Sequence, residues 1–158
     1  MSLLQDVIFV KALRADSELM AKLPAGDVYN TAIGLPDEDL NNAPIPYIIV
    51  NFDGLTNNDE TKDDPFEGDT DDVQISIEIA APNRIELGQI ADMVRKAVHR
   101  YFINAEEGDE DFDLVPDDYT FSAQAVNYDP MKPCNWQILN YQCDCKNNVI
   151  ADDDEQEE

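Results

Sequence analysis

The hydrophobic positions of this chain recur first with a helical period and then with a period of two, and this switch happens twice. An apolar stripe predicts an N-terminal helix that ends near Ala15, where Asp16 is expected to cap a second short helix. The stripe consists of Leu3, Leu4, Val7, Ile8, Val10 and Leu13. The β-branched and aromatic run 46–52 predicts a buried strand, and the strict alternation of 73–80 predicts a half-buried strand that pairs with it.

The same switch is repeated in the second half of the chain. Asn83, followed three residues later by Glu86, is typical of a helix start with a capping box. Apolar residues then recur at spacings of three and four as far as Phe102, which predicts a long amphipathic helix packed on the sheet. The runs 119–128 and 136–145 predict two further strands, joined by a turn that contains prolines.

The order helix, hairpin, helix, hairpin indicates an α+β fold with a mostly antiparallel four-stranded sheet and helices packed on one face. We expect one domain over residues 1–150, with acidic loops at 54–72 and 103–118. A disordered acidic tail is expected at 151–158 because that segment has high charge and few apolar residues.

Charge adds a second feature to this fold. The chain of 158 residues has 35 acidic residues, 10 lysines and arginines, and a formal net charge of −25. Most of the acids fall in three short stretches, which are 59–72, 106–118 and 152–158. Such a surface repels phosphates, which disfavours binding to duplex DNA or to an anionic membrane. Basic partners, metal ions and DNA that passes without binding remain open.

The sequence predicts no membrane segment and no secretory signal. No apolar run approaches the length of a membrane span, and the first residues lack the basic start of a signal peptide. We therefore expect a soluble protein made in a cytoplasm.

The chain contains no pattern typical of catalysis, and we expect no catalytic residue, metal site or cofactor. The acidic loops suggest calcium, but an EF-hand register around Gly68 places Pro65 and Gln74 at ligand positions. Cys143 and Cys145 share one face of a predicted strand and are interpreted as core residues. No nucleophile elbow, P-loop, dinucleotide-binding glycine motif or zinc-protease motif occurs. The sequence therefore predicts a protein that is not an enzyme.

One basic cluster lies on the polar side of the long helix, near its C-terminal end. Its members are Arg95, Lys96, His99 and Arg100. These cations suit the negative end of the helix dipole on a solvated face. A second interpretation makes Arg95, Lys96 and Arg100 a candidate subunit interface that meets an acidic loop of a neighbouring copy. Both interpretations are open at this point.

Three short motifs, ALRADSEL at 12–19, GDVY at 26–29 and PIPYIIV at 44–50, precede the alternating strand and its amphipathic helix. Over about residues 3–145 this pattern resembles the tail-completion or tail-terminator proteins of long-tailed bacteriophages. The resemblance implies a small α+β subunit of a ring, usually a hexamer, that caps the tail tube and joins it to the filled head. The long acidic loops and the acidic tail depart from that pattern and leave open whether the chain is the terminator or a neighbouring joining protein.

The resemblance also implies partners and a location. We expect a homohexamer that contacts the tail tube protein and a head-completion or connector protein, with DNA passing through without specific binding and with no membrane contact. The expected location is the tail of the virion, after assembly in the cytoplasm of the host bacterium. A candidate acidic loop, facing the lumen or a partner, consists of Asp59, Glu60, Asp63, Asp64, Glu67 and Asp69. The alternative function is an acidic interaction module or DNA mimic that binds a basic protein.

Overall fold

The computed structural model describes residues 2–30, 43–58, 60 and 65–149, which form an α+β fold with a sheet of six strands. The α-helices of these residues are α1 (Gln5–Arg14), α2 (Ser17–Lys22) and α3 (Arg84–Asn104). The strands are β1 (Tyr29–Asn30), β2 (Tyr47–Asn57), β3 (Thr70–Ala81), β4 (Asp118–Ala123), β5 (Asn127–Asp129) and β6 (Cys134–Lys146). Short 3₁₀ helices occur at Ser2–Leu4 and Phe112–Leu114.

The sheet has the strand order β1-β2-β3-β6-β4, with β5 also paired to β6. The predicted α+β class is confirmed, but the predicted number of four strands is wrong. One added strand is β1, whose two residues run parallel to β2 with Tyr29 opposite Ile49. A strand of two residues has no periodicity of its own, so only its tertiary pairing reveals it.

The second added strand arises because the predicted strand 119–128 is broken in two. In β4, Ala123 lies opposite Leu139, whereas in β5 Asn127 lies opposite Trp136. The pairing with β6 therefore shifts by one residue between the two strands. Gln124 lies at the break, and its carbonyl accepts a hydrogen bond from Gln137 Nε2 at 2.9 Å. A shift of one residue moves the side chains that follow it to the opposite face of the sheet, so a single continuous strand over 119–128 does not describe this segment.

The first hairpin is longer than its sequence pattern indicated. β2 continues to Asn57 and β3 begins at Thr70, so both ends of the predicted loop 54–72 belong to strands. Likewise, α3 extends to Asn104 and β4 begins at Asp118, at the two ends of the predicted loop 103–118. The predicted connection at 31–42 and the tail 151–158 lie outside the described residues.

The core lies between one face of the sheet and helices α1 and α3. β3 contributes the alternating residues predicted from the sequence, and α1 and α3 contribute their apolar stripes. The fully buried side chains include Ile8, Phe9, Leu13, Ile75, Ile77, Ile79, Leu87, Ile90, Val94 and Val98. Phe9 connects the layers, since its ring centroid lies 5.2 Å from that of Phe102 in α3 and 5.0 Å from that of Tyr141 in β6. Among the described helices, none is long and apolar enough to cross a membrane.

Candidate interaction surfaces

Helix α3 displays the predicted basic cluster, and its first residues fix its position. The side chain of Asn83 accepts a hydrogen bond from the backbone N–H of Glu86 at 2.8 Å, which confirms the predicted cap. The helix then runs for 21 residues with its apolar stripe buried. Its opposite side faces solvent and exposes Arg95, Lys96, His99 and Arg100.

Arg95 is held against strand β4. The guanidinium carbon of Arg95 lies 4.0 Å from the centroid of the Phe121 ring. Phe121 packs in turn on Tyr141 of β6, with ring centroids 5.1 Å apart. A cation–π contact at an exposed site is worth about 0.5–1 kcal/mol, enough to orient the guanidinium towards β4.

A cleft of about 310 Å³ lies between α3 and β4, and we call it the α3–β4 cleft. It is lined by Asp92, Arg95, Lys96, His99, Tyr119, Phe121 and Tyr141. One wall is therefore mainly cationic and the other is aromatic. Burial raises the pKa of Tyr119, while the positive charge of Arg95 acts in the opposite direction. Because the phenol of Tyr119 is neutral, the charged side chains of this cleft are those of α3.

Arg100 faces a different cleft, of about 340 Å³, on the other side of α3. Acidic residues of the segment after α3, which include Asp109 and Asp111, line this second cleft. Lys11 of α1 forms an ion pair with Asp111, with 2.6 Å between Nζ and Oδ1. The hydrogen bond within this pair is the main cause of the raised pKa of Lys11. The structure therefore separates the three predicted interface cations, because Arg95 and Lys96 face β4 and Arg100 faces the chain's own acidic segment.

Two cations outside α3 form salt bridges within the described part of the chain. Lys11 pairs with Asp111, and Arg14 pairs with Asp27 at 2.7 Å. Within the described residues, neither Arg95 nor Lys96 forms a salt bridge. Lys22, Arg84, Arg100 and Lys146 are also exposed and form no salt bridge within the described residues, so Arg95 and Lys96 are distinguished by their place beside β4.

Side-chain hydrogen bonds hold the base of the acidic hairpin between β2 and β3. The side-chain amide of Asn57 donates to the carbonyls of Gly68 at 3.1 Å and Thr70 at 3.2 Å, and its oxygen accepts the N–H of Gly68 at 2.7 Å. The side chain of Asn147, which follows β6, donates to the same Gly68 carbonyl at 2.9 Å. These bonds hold residues 68–70 against the end of the sheet.

The structure places half of the predicted acidic loop. Glu60 and Asp69 are exposed and Glu67 is partly exposed. Asp59, Asp63 and Asp64 lie outside the described residues.

Sequence reasoning missed a row of three carboxylates on the face of the sheet opposite the helices. Asp72 of β3 lies opposite Asp144 of β6, which lies opposite Asp118 of β4. A hydrogen bond with Asp144 and then burial raise the pKa of Asp72. Each of the three lies at an outward position of a strand with alternating polarity. Only the register of the strands shows that they lie side by side. Among the described residues, no group of three or more acidic, histidine or cysteine side chains is arranged to hold a metal ion.

The cysteines are core residues, as the sequence predicted for Cys143 and Cys145. Both are buried on the inner face of β6, and Cys134 is buried at its start. Burial raises the pKa of the Cys143 thiol and raises that of Cys145 to about 12. Neutral buried thiols are poor nucleophiles, so this strand offers no reactive cysteine.

Comparison with protein families gives a match over more than half of the chain. A family model described as "Tail completion protein gp17" matches residues 9–116. The matched region begins in α1, includes all of α3 and ends just before β4. A comparison with curated proteins finds no match.

Proposed function

We propose that this chain, which belongs to the tail completion protein family of bacteriophages, caps the tail tube as a ring and joins it to the filled head. Membership in that family is the observation that carries the proposal. The family makes the chain a structural component of the phage tail that interacts with other tail components. The proposed ring is a homohexamer, assembled in the host cytoplasm, with the tail tube protein on one side and a head-completion or connector protein on the other.

The charge of the chain supports a role at a DNA channel. A net charge of −25 repels phosphates, so DNA passes such a ring without binding to it. Three described regions supply negative charge, namely the acidic hairpin with Glu60 and Asp69, the segment after α3 with Asp109, and the aligned carboxylates beginning at Asp72. We propose that the acidic hairpin faces the lumen or a partner.

The cations of α3 supply the proposed contact between subunits. Copies of a strongly acidic chain repel one another at long range, so local charge complementarity at a contact favours their association and sets its orientation. Arg95 and Lys96 are exposed and have no described ion-pair partner, which suits a contact with an acidic segment of the next subunit. Arg100 has carboxylates of its own chain beside it, so we assign it a smaller part of this contact.

The proposed function is tested in a phage that lacks the chain. We expect such a phage to build filled heads and tail tubes that do not join, with tubes that exceed their normal length. Purified protein added to these extracts should restore joining, as counted by electron microscopy and by infectious titre. Tails of normal length that are joined to heads in the absence of the chain would rule out this function.

The same preparation tests the alternative function. An acidic module or DNA mimic acts as a monomer or dimer and binds basic proteins with an affinity that falls steeply with salt. A protein that forms no ring, leaves joining unaffected and binds a basic DNA-binding protein in this way would favour the mimic.

A further inference from the structure

Strand β4 forms one edge of the sheet. Among the described strands it pairs with β6 alone, so one side of its backbone has no strand partner. Proteins usually protect such edges with lysine, proline, bulges or a covering segment, because an open edge is a template for another strand. The six residues of β4, DYTFSA, contain neither lysine nor proline.

The register shows which backbone groups of β4 point away from the sheet. The N–H of Gln124 donates to the carbonyl of Ile138 at 2.9 Å, so this position faces β6. In an antiparallel pair, hydrogen-bonded positions alternate. Phe121 and Ala123 lie at the intervening positions, and their N–H and C=O groups therefore point away from β6.

The α3–β4 cleft lies beside this edge. Arg95 covers the ring of Phe121 at 4.0 Å, and Lys96 lines the same cleft. A strand added to β4 would place alternate side chains against these two cations and the aromatic wall. Acidic side chains of the added strand fit the two cations. Asp92, which also lines the cleft, repels an acid placed beside it and thereby favours one register of the added strand.

We propose that β4 accepts an extended acidic segment of a second copy of this chain as an added strand, whose carboxylates contact Arg95 and Lys96. Main-chain hydrogen bonds supply affinity in this mode of recognition, and alternate side chains supply specificity. A second copy is the occupant because the chain itself carries the complementary charge, with 35 acidic residues concentrated mainly in short stretches. The inference rests on the proposed ring function and names the contact that would close the ring.

The geometry of this contact favours a ring over a dimer. The acceptor is the edge of β4, and the acidic segment belongs to another part of the chain. Each copy therefore uses two different surfaces, and such head-to-tail contacts generate rings or filaments in place of two-fold dimers.

Proline at Ala123 tests the added strand directly. Ala123→Pro removes the outward N–H at an exposed position, where an edge strand tolerates proline. Ala123→Ser is the matched control, because it retains the N–H and changes the side chain only slightly. We expect the proline variant to weaken self-association of the full chain by about tenfold, measured by analytical ultracentrifugation, and the serine variant to change it by less than about twofold. Circular dichroism and thermal melting verify that both variants fold.

Charge reversal tests the carboxylate contacts. The double variant Arg95→Glu, Lys96→Glu should weaken self-association by at least about tenfold, whereas Lys22→Glu, at an exposed position of α2, should have a much smaller effect. Hydrogen exchange of the full chain supplies an independent readout. Amides of Phe121 and Ala123 should exchange more slowly in the assembled protein than in the dilute monomer.

The outcomes separate this inference from the proposed function. Self-association of Ala123→Pro equal to that of the serine control would overturn strand addition, while joining of heads and tails in extracts would still support the ring. Strand addition would also be overturned if the amides of Phe121 and Ala123 exchanged as fast in a stable ring as in the dilute monomer. A full chain that stays monomeric at all concentrations would overturn the second copy as occupant.

Discussion

At the scale of single residues, the row formed by Asp72, Asp144 and Asp118 is electrostatically unfavourable. Like charges directly opposite one another on neighbouring strands destabilise the pair. The pKa of Asp72 rises because the protonated carboxyl can donate a hydrogen bond to Asp144 and because burial disfavours its charged form. A protein that retains such a row keeps a dense negative surface at some cost in stability.

Asp144→Asn should therefore stabilise the chain at neutral pH. The amide removes one of the three charges and can donate a hydrogen bond to Asp72. We expect the free energy of unfolding to increase by about 0.2–1 kcal/mol, measured by urea denaturation at pH 7. Glu107→Gln is the control, because it removes one charge from an exposed residue outside the row. An unchanged or lower stability of Asp144→Asn relative to this control would contradict the repulsive interpretation.

The pH dependence of the same variant has a defined sign. The pKa of Asp72 is raised in the folded state. At a pH between its unfolded and folded pKa, Asp72 therefore binds more protons in the folded chain than in the unfolded chain. This group therefore adds stability as the pH falls through its folded pKa, and that gain is absent at higher pH. The stability difference between Asp144→Asn and the wild type should shrink as the pH falls through the folded pKa of Asp72.

At the scale of elements, α3 joins the core to the proposed contact surface. Its buried stripe includes Leu87 and Val98, while Arg95 on its outer side reaches the ring of Phe121. The helix has to begin at a fixed residue for these two sides to keep their orientation. The Asn83 side chain, which accepts the N–H of Glu86, fixes that start.

Asn83→Ala should destabilise the fold through the loss of this cap. Alanine cannot accept the hydrogen bond, which leaves one N–H of the first turn without its side-chain partner. The expected loss in the free energy of unfolding is about 1 kcal/mol, measured by urea denaturation. Asn83→Asp and Asn83→Ser keep an acceptor oxygen and should stay close to the wild type. Equal losses in all three variants would show that the cap does not act through its oxygen.

At the scale of the whole molecule, negative charge is unevenly distributed along the chain. The described acidic segments are anchored to the core, one through Asn57 and Asn147 and the other through the Lys11–Asp111 ion pair. Self-repulsion keeps such a chain soluble and opposes association between copies. Moderate salt should therefore weaken the repulsion between copies, while high salt weakens the local ion pairs as well.

Removal of residues 151–158 should leave the melting temperature almost unchanged. The segment has six acidic residues and little apolar surface, so its composition predicts that it buries little on folding. Differential scanning calorimetry at moderate ionic strength measures the effect. Replacement of the same acids by Asn and Gln is the control for charge. A large loss of stability in the truncated chain alone would show that the segment docks on the fold.

The sequence by itself determined much of this protein. Periodicity predicted α1, α3 and the paired strands β2 and β3, because an apolar stripe has to face the core. Asn83 and Asp16 were identified as caps because the capping chemistry is local. The α+β class and the phage tail family also followed from the order and content of these segments.

Only the tertiary structure decided which distant residues meet. β1 has two residues and no period, and the pairing with β6 shows where the register shifts between β4 and β5. The same reason explains the candidate surfaces. Arg95, Lys96 and Arg100 are close in sequence, but the rotation of the helix and the packing of β4 separate them into two clefts. Asp72, Asp118 and Asp144 are far apart in sequence, and strand register places them side by side.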